Sequence, residues 1–241
     1  MAEPLRVFIG YDSREHVAWE VCRSSMLKHA SVPLTIERLD MRRLRHAGLY
    51  RREWRLEKGQ QVDVSDERPF STEFAFTRFL VPALMQWRGV ALFCDCDFLW
   101  RADVAELFGL HDPAKAVSVV MHQHRPPEGV KMDGQAQGHY HRKNWSSLVL
   151  WNCGHPENLL LTPERVNTER GQWLHAFDWL PLAALGALPI NWNWLEGSSS
   201  ADIDPAAVHF TRGGPWHKGF ENVAYADEWR AEADRIGWGI K

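Results

Sequence analysis

The sequence has no unbroken apolar run of 18 residues, the length that a membrane-spanning helix needs. Its first residues, MAEPLRVFIGYD, carry no signal-type hydrophobic region. Charge of one sign is missing as well. Lys and Arg number 28 against 31 Asp and Glu, and the net charge of −3 gives no electrostatic case for nucleic acid or an anionic membrane. Cysteine is scarce. The four thiols, Cys22, Cys94, Cys96 and Cys153, lack the paired spacing of a zinc site, and three lie in apolar or strand-like contexts. Reduced thiols in a cytosolic protein are the expectation. Also absent is a Gly-rich, Lys/Arg-bearing phosphate loop after the first predicted strand, where the sequence reads GYDSREH. What remains is ordinary globular composition, 45% hydrophobic and 24% charged over 241 residues, enough for one large α/β domain or two small ones. Tryptophan is abundant, with 13 rings to fill a core or to form platforms for sugar faces.

The chain opens β-α-β, the pattern of a parallel sheet. Arg6–Tyr11 predicts a strand, Asp12 with Glu15 resembles a capping box, and Ala18, Trp19, Cys22, Ser25 and Met26 form the inward stripe of the helix that follows. Val32–Leu39 predicts a second strand. Ligands of such sheets sit beyond the carboxyl ends of strands. Tyr11, Asp12, Ser13 and Arg14 stand at that position, either facing a ligand or simply capping the helix. Residues 41–69 are charged and without apolar periodicity, which predicts an irregular excursion. A buried helix is expected from Ser71 or Thr72 to about Trp87, with Arg78 on the same side as Phe74, Val81 and Met85. A guanidinium there needs an anion, either Asp95 or a bound phosphate or sugar.

Val90–Trp100, VALFCDCDFLW, is the most informative stretch. Its unbroken apolar approach suits a strand buried on both faces. If the strand persists, Asp95 and Asp97 point to one side, and two carboxylates on one face call for a divalent cation such as Mg²⁺ or Mn²⁺. A strand end running into a solvated acidic turn fits the same spacing. Cys94 and Cys96 alternate with the aspartates and are expected to pack rather than ligate.

Further along, 103–108 predicts a short helix and 116–121 a strand leading into His122-Gln123-His124, read as polar loop residues. The Gly- and Pro-rich 126–140 predicts a mobile loop, 145–151 a strand, Thr162-Pro163-Glu164 a capped helix start and 173–185 a helix. Leu188–Gly197, LPINWNWLEG, reads as a shaped wall rather than regular structure. In VHFTRGGPWHK, His209 at a strand end can complete a divalent site and tilts it toward Mn²⁺. Gly213 and Gly214 let the backbone approach a ligand and offer N–H groups to phosphate, and Arg212 or Lys218 can neutralise a diphosphate. An amphipathic helix is expected over 227–236.

Taken in order, Tyr11-Asp12, Arg78, Asp95-x-Asp97 and His209 in HFTRGGPW resemble a family 8-type glycosyltransferase, related to bacterial lipopolysaccharide glycosyltransferases and glycogenin. The resemblance covers nearly the whole chain. It implies an α/β GT-A fold, a Rossmann-like nucleotide-diphospho-sugar transferase with a mainly parallel central sheet flanked by helices. A nucleotide-binding half at about 1–110 would join an acceptor half at about 111–241. The implied activity is metal-dependent transfer of a sugar from a nucleotide-sugar, most often a UDP-sugar, with retained configuration, to a glycan, lipid-linked or protein acceptor. Asp95, Asp97 and His209 would hold Mn²⁺ (or Mg²⁺) against the diphosphate. Asp12 would meet the base beside Tyr11, Arg78 would contact the donor sugar or diphosphate, and Asp178 would orient the acceptor. The chain departs from the family pattern at Pro215, where a lysine is usual, at Trp145-Ser146-Ser147, and at Asp178-Trp179, where an acidic–Gln pair is usual. A nucleotidyltransferase that makes nucleotide-sugars and a non-catalytic carbohydrate- or nucleotide-binding module are the alternatives.

Overall fold

A computed structural model describes residues 3–122, 142 and 144–239. The expected loop over 126–140, with Gln123 and His124, lies outside the described residues. In chain order the elements are β1 (Leu5–Tyr11), α1 (His16–His29), β2 (Leu34–Asp40), α2 (Met41–His46), β3 (Trp54–Glu57), β4 (Gln60–Asp63), β5 (Pro69–Phe70), α3 (Val81–Leu84), β6 (Val90–Cys94), β7 (Phe98–Trp100), α4 (Val104–Phe108), β8 (Val117–Val119), β9 (Leu148–Asn152), α5 (Pro163–Thr168), α6 (Gly171–His175), β10 (Leu185–Ala187), β11 (Trp194–Leu195), β12 (Ala207–His209) and α7 (Ala226–Arg235).

Six strands form the central sheet in the order β10-β8-β9-β6-β1-β2. All but β9 run in one direction. β1 and β6 pair in parallel with Ile9 opposite Cys94, so their carboxyl ends reach the same edge. The antiparallel β9 begins at that edge, with Leu148 opposite Cys94. The apolar runs of β1 and β6 are buried because the sheet is covered on both faces, and the predicted stripe of α1 is buried with them. A second sheet, β11-β12-β7, stands beside this edge.

Several local expectations change. The strand through Val90–Trp100 breaks at 95–97, and β7 leaves for the second sheet. Residues 41–69 are not irregular. They form α2 and the meander β3-β4-β5, which the alternation of so short a sheet does not announce. This excursion is anchored by the fully buried Arg52–Asp63 pair, whose guanidinium also donates to the Val166 and Glu169 carbonyls. The long helix over 71–87 shrinks to a 3-10 turn, Thr77–Leu80, and α3. Pro82 has no N–H to continue a helix from Arg78 but suits a first turn, and left-handed Gln86 and Trp87 end the segment. Trp145–Ser147 is a 3-10 turn entered through left-handed Asn144, so the strand starts only at Leu148. The helix over 173–185 is absent as such. α6 stops at His175, Phe177 is left-handed, and Pro181 precedes a 3-10 turn.

Seven of the 13 tryptophans, including Trp192 and Trp194 of the predicted wall, are buried in the core. Core filling therefore explains most of the tryptophan excess. All four cysteines are free and buried.

Candidate functional site

The break after β6 does not scatter the acidic pair. Asp95 N–H donates to Ser147 O at 2.9 Å and Phe210 N–H donates to Asp97 O at 3.0 Å, so the turn is tied to both flanking strands. In the second sheet His209 pairs with Phe98 across β12 and β7, directly after Asp97. The result is a convergence of Asp95, Asp97 and His209, with one ligand atom from each within 4.8 Å of the others.

The donor set fits a divalent cation. Ligand bonds of about 2.0–2.2 Å place neighbouring donors roughly 3–4.4 Å apart. His209 Nε2 already lies 3.3 Å from Asp97 Oδ1. The other ring nitrogen, Nδ1, is 2.9 Å from Asn193 Oδ1, and Asn193 Nδ2 donates to Ser147 Oγ at 2.9 Å. Since that amide nitrogen is engaged with the hydroxyl, the oxygen faces the imidazole, Nδ1 carries the proton and the Nε2 lone pair points into the cluster. Phe98 stacks on the ring at 4.4 Å. Asn193, fully buried, was hidden in the sequence among residues read as a wall. Asn193→Ala is expected to weaken Mn²⁺ binding about 10- to 100-fold with little change in fold, measurable by calorimetric titration of Mn²⁺. Unchanged affinity would rule out this orienting role.

Arg78 resolves toward Asp95, the internal of its two expected partners. Nη1 lies 2.7 Å from Asp95 Oδ1 and donates to Ser146 O at 2.8 Å, while Nε donates to Ala75 O at 3.1 Å. Ser146 Oγ continues to His175 Nδ1 at 2.9 Å. Burial, reinforced by Arg78 and Arg52, pushes the His175 pKa well below its ordinary value, so the ring is neutral near pH 7.

Asp12 is fully buried and surrounded by its own chain. Oδ1 accepts from Arg14 N and Nε, both at 2.9 Å, and Oδ2 accepts from Arg14 Nη2 at 2.7 Å and Glu73 N at 3.1 Å. Burial alone would raise its pKa, but the Arg14 and Glu73 donors prevail and lower it. Tyr11 lies alongside, with the Arg38 guanidinium 4.2 Å from its ring centre. Gly10 has to be glycine here, since a Cβ would meet the Phe74 ring at 2.5 Å.

The C-terminal loop differs from expectation. Gly213 N–H is used internally, donating to Phe210 O at 2.8 Å, so it is not presented to a ligand. Gly214 is buried beneath Trp216, and Arg212 and Lys218 are exposed. Asp178 is exposed too, its amide donating to Trp173 O at 3.0 Å, and no described contact joins it to the cluster.

Protein CDI of Arabidopsis thaliana is 46% identical over 237 residues, spanning 96% of this chain and 87% of that protein. The chain belongs to the Protein CDI family. No family model matches it. Among solved structures, this CDI relative has the fold of the galactosyltransferase LgtC, with a TM-score of 0.60 at 15% identity over 96% of both chains. GlyE of Streptococcus pneumoniae gives 0.61 at 15% identity over 96% of this chain and 60% of its own. The bifunctional glycosyltransferase WbbM gives 0.64 at 14%, with 99% of this chain spanning 51% of that protein. The fold is therefore GT-A, as the ordered motifs implied.

Proposed function

We propose that the protein is a metal-dependent retaining glycosyltransferase that moves a sugar from a nucleotide-sugar, a UDP-sugar, to an acceptor hydroxyl. The observation that carries this reading is the Asp95–Asp97–His209 convergence at the carboxyl edge of a GT-A sheet. Asp95, Asp97 and His209 hold the cation, Mn²⁺ being favoured by the imidazole. When bound, the cation supplies Lewis-acid charge to the departing diphosphate. Arg78 fixes Asp95, leaving Nη2 as its donor toward the sugar or diphosphate. Tyr11 and the Asp12–Arg14 pair shape the base end. Asp178 orients the acceptor, a glycan, lipid-linked or protein hydroxyl.

The chemistry needs no side-chain nucleophile. The acceptor hydroxyl attacks the anomeric carbon from the face that the diphosphate leaves. The bond from that carbon to the diphosphate oxygen breaks as the new glycosidic bond forms. A diphosphate oxygen takes the hydroxyl proton, and configuration is retained. Among the described residues no helix is long and apolar enough to cross a membrane. We place the reaction in the cytosol, where four free thiols are stable.

The test is incubation with UDP-sugars and Mn²⁺, following nucleoside diphosphate release and the anomeric proton by NMR. UDP release that stops with EDTA and yields a retained anomer is the expected result. Pyrophosphate formed from a nucleoside triphosphate and a sugar phosphate would favour a nucleotidyltransferase instead.

A further inference from the structure

Beside the Asp95–Cys96–Asp97 turn stands a side-chain pair that none of the roles above uses. Glu15, at the end of the 3-10 turn Ser13–Glu15 that leads from β1 into α1, accepts from the Cys96 thiol through Oε2 at 3.7 Å, and its Oε1 lies 3.1 Å from His217 Nε2. The pair joins the two loops that flank the cluster, from positions 202 residues apart. The structure around His217 holds it firmly. Its amide donates to Gly214 O at 2.9 Å, and Phe220 N–H donates to its carbonyl at 3.1 Å. Trp216 lies edge-on to Phe210 at 5.9 Å and against Trp229 at 5.2 Å. Its ring sits so close over Gly214 that a Cβ there would fall 1.9 Å from Cζ3. An aromatic anchor thus presents one half-exposed imidazole to the wall of the cluster.

Charge gives that imidazole a purpose. Glu15 reaches the Cys96 thiol between Asp95 and Asp97, so its carboxylate adds a third negative charge beside the two of the cluster. Arg14 pairs with Asp12, and Arg78 pairs with Asp95 through Nη1, with Nη2 left toward the donor. Without a counter-charge, Glu15 would repel any diphosphate brought to the cluster. Lys218 and Arg212 are exposed, and the Arg212 guanidinium lies against Gly197. His217 is the cation-forming side chain of this loop that is paired with Glu15.

We infer that His217 contacts the diphosphate of the donor, as an imidazolium donating one N–H to Glu15 and the other to a phosphoryl oxygen, with Glu15 as its positioning residue. The inference rests on the donor reading proposed above. Both ring nitrogens are donors in the charged form, and charge-assisted bonds to phosphate are among the strong ones.

The experiment is calorimetric titration of UDP and GDP into the full chain with saturating Mn²⁺, together with Mn²⁺ alone. His217→Ala, and His217→Gln as a close match in size, are expected to weaken diphosphate binding about 10- to 100-fold. Affinity for Mn²⁺ alone should stay within about twofold, because none of the three ligands is altered. Adding Glu15→Gln to His217→Ala should recover part of the loss, since it removes the carboxylate left facing the phosphate. A purely structural role for His217 predicts no such recovery. If the wild-type protein binds UDP or GDP and His217→Ala binds it equally well, this inference is overturned while the donor reading stands. If the wild-type protein binds neither with Mn²⁺, the donor reading itself fails.

Discussion

Replacing Asp97 with Asn is expected to lower Mn²⁺ affinity by at least about 100-fold, more than the loss of an outer-shell partner. The substitution keeps the shape of the side chain and removes its charge, leaving a carboxamide facing His209 Nε2, which lies 3.3 Å from Asp97 Oδ1 in the native protein. Asp97 is half-buried, and the backbone of the turn is itself tied, Asp95 N–H to Ser147 O and Phe210 N–H to Asp97 O. The thermal midpoint should therefore move little. Metal-dependent sugar transfer should disappear with the metal. Mn²⁺ titration by calorimetry, with thermal unfolding followed by circular dichroism, separates the two effects. A folded Asp97→Asn protein with unchanged Mn²⁺ affinity and normal turnover would refute the three-ligand assignment.

The largest effect on stability is expected far from the cluster, at Asp63→Ala. Arg52 and Asp63 are each 1% exposed. Two parallel hydrogen bonds of 2.7 and 2.6 Å join them, and the guanidinium also lies 4.1 Å from the Phe76 ring centre. Removing the carboxylate leaves a buried guanidinium without its counter-ion, which costs about 3–5 kcal/mol. For a chain of this size that lowers the thermal midpoint by roughly 10 °C. Replacing both residues together by apolar side chains should cost much less, because no uncompensated charge then remains. Guanidinium denaturation of the single and double variants measures this directly. A loss below about 1 kcal/mol for Asp63→Ala would show that the pair contributes little beyond packing.

The sheet was legible because long apolar runs and helix-period stripes are set by burial. RVFIGY, the stripe from Ala18 to Met26 and VALFC could hardly fold otherwise. The acidic pair was legible by residue type but not by geometry. Alternation along a strand suggested that Asp95 and Asp97 share a face. In the structure they converge at a turn between two sheets, because β7 pairs with β12. The short elements depart from the periodicity of their sequence where tertiary contacts outweigh it. The segment 41–69 has no stripe to read because its fixed point is an ion pair reaching the 163–171 region. Asn193 and the Glu15–His217 pair left no signal in the sequence, since their partners lie far away in the chain and single polar residues carry no period. The charges assigned to the diphosphate were read from type alone; Lys218 and Arg212 are exposed in the structure, whereas His217 is paired with Glu15.

Asp95, Asp97 and His209 converge as the proposed cation site, to which a nucleotide-sugar would be recruited. Its most direct test is calorimetric titration of UDP, GDP and their common sugar conjugates into the protein, first with Mn²⁺ and then with EDTA. Tight binding of one nucleotide class, UDP, that vanishes on chelation is the expected result. Nucleotide binding that survives EDTA unchanged would contradict it.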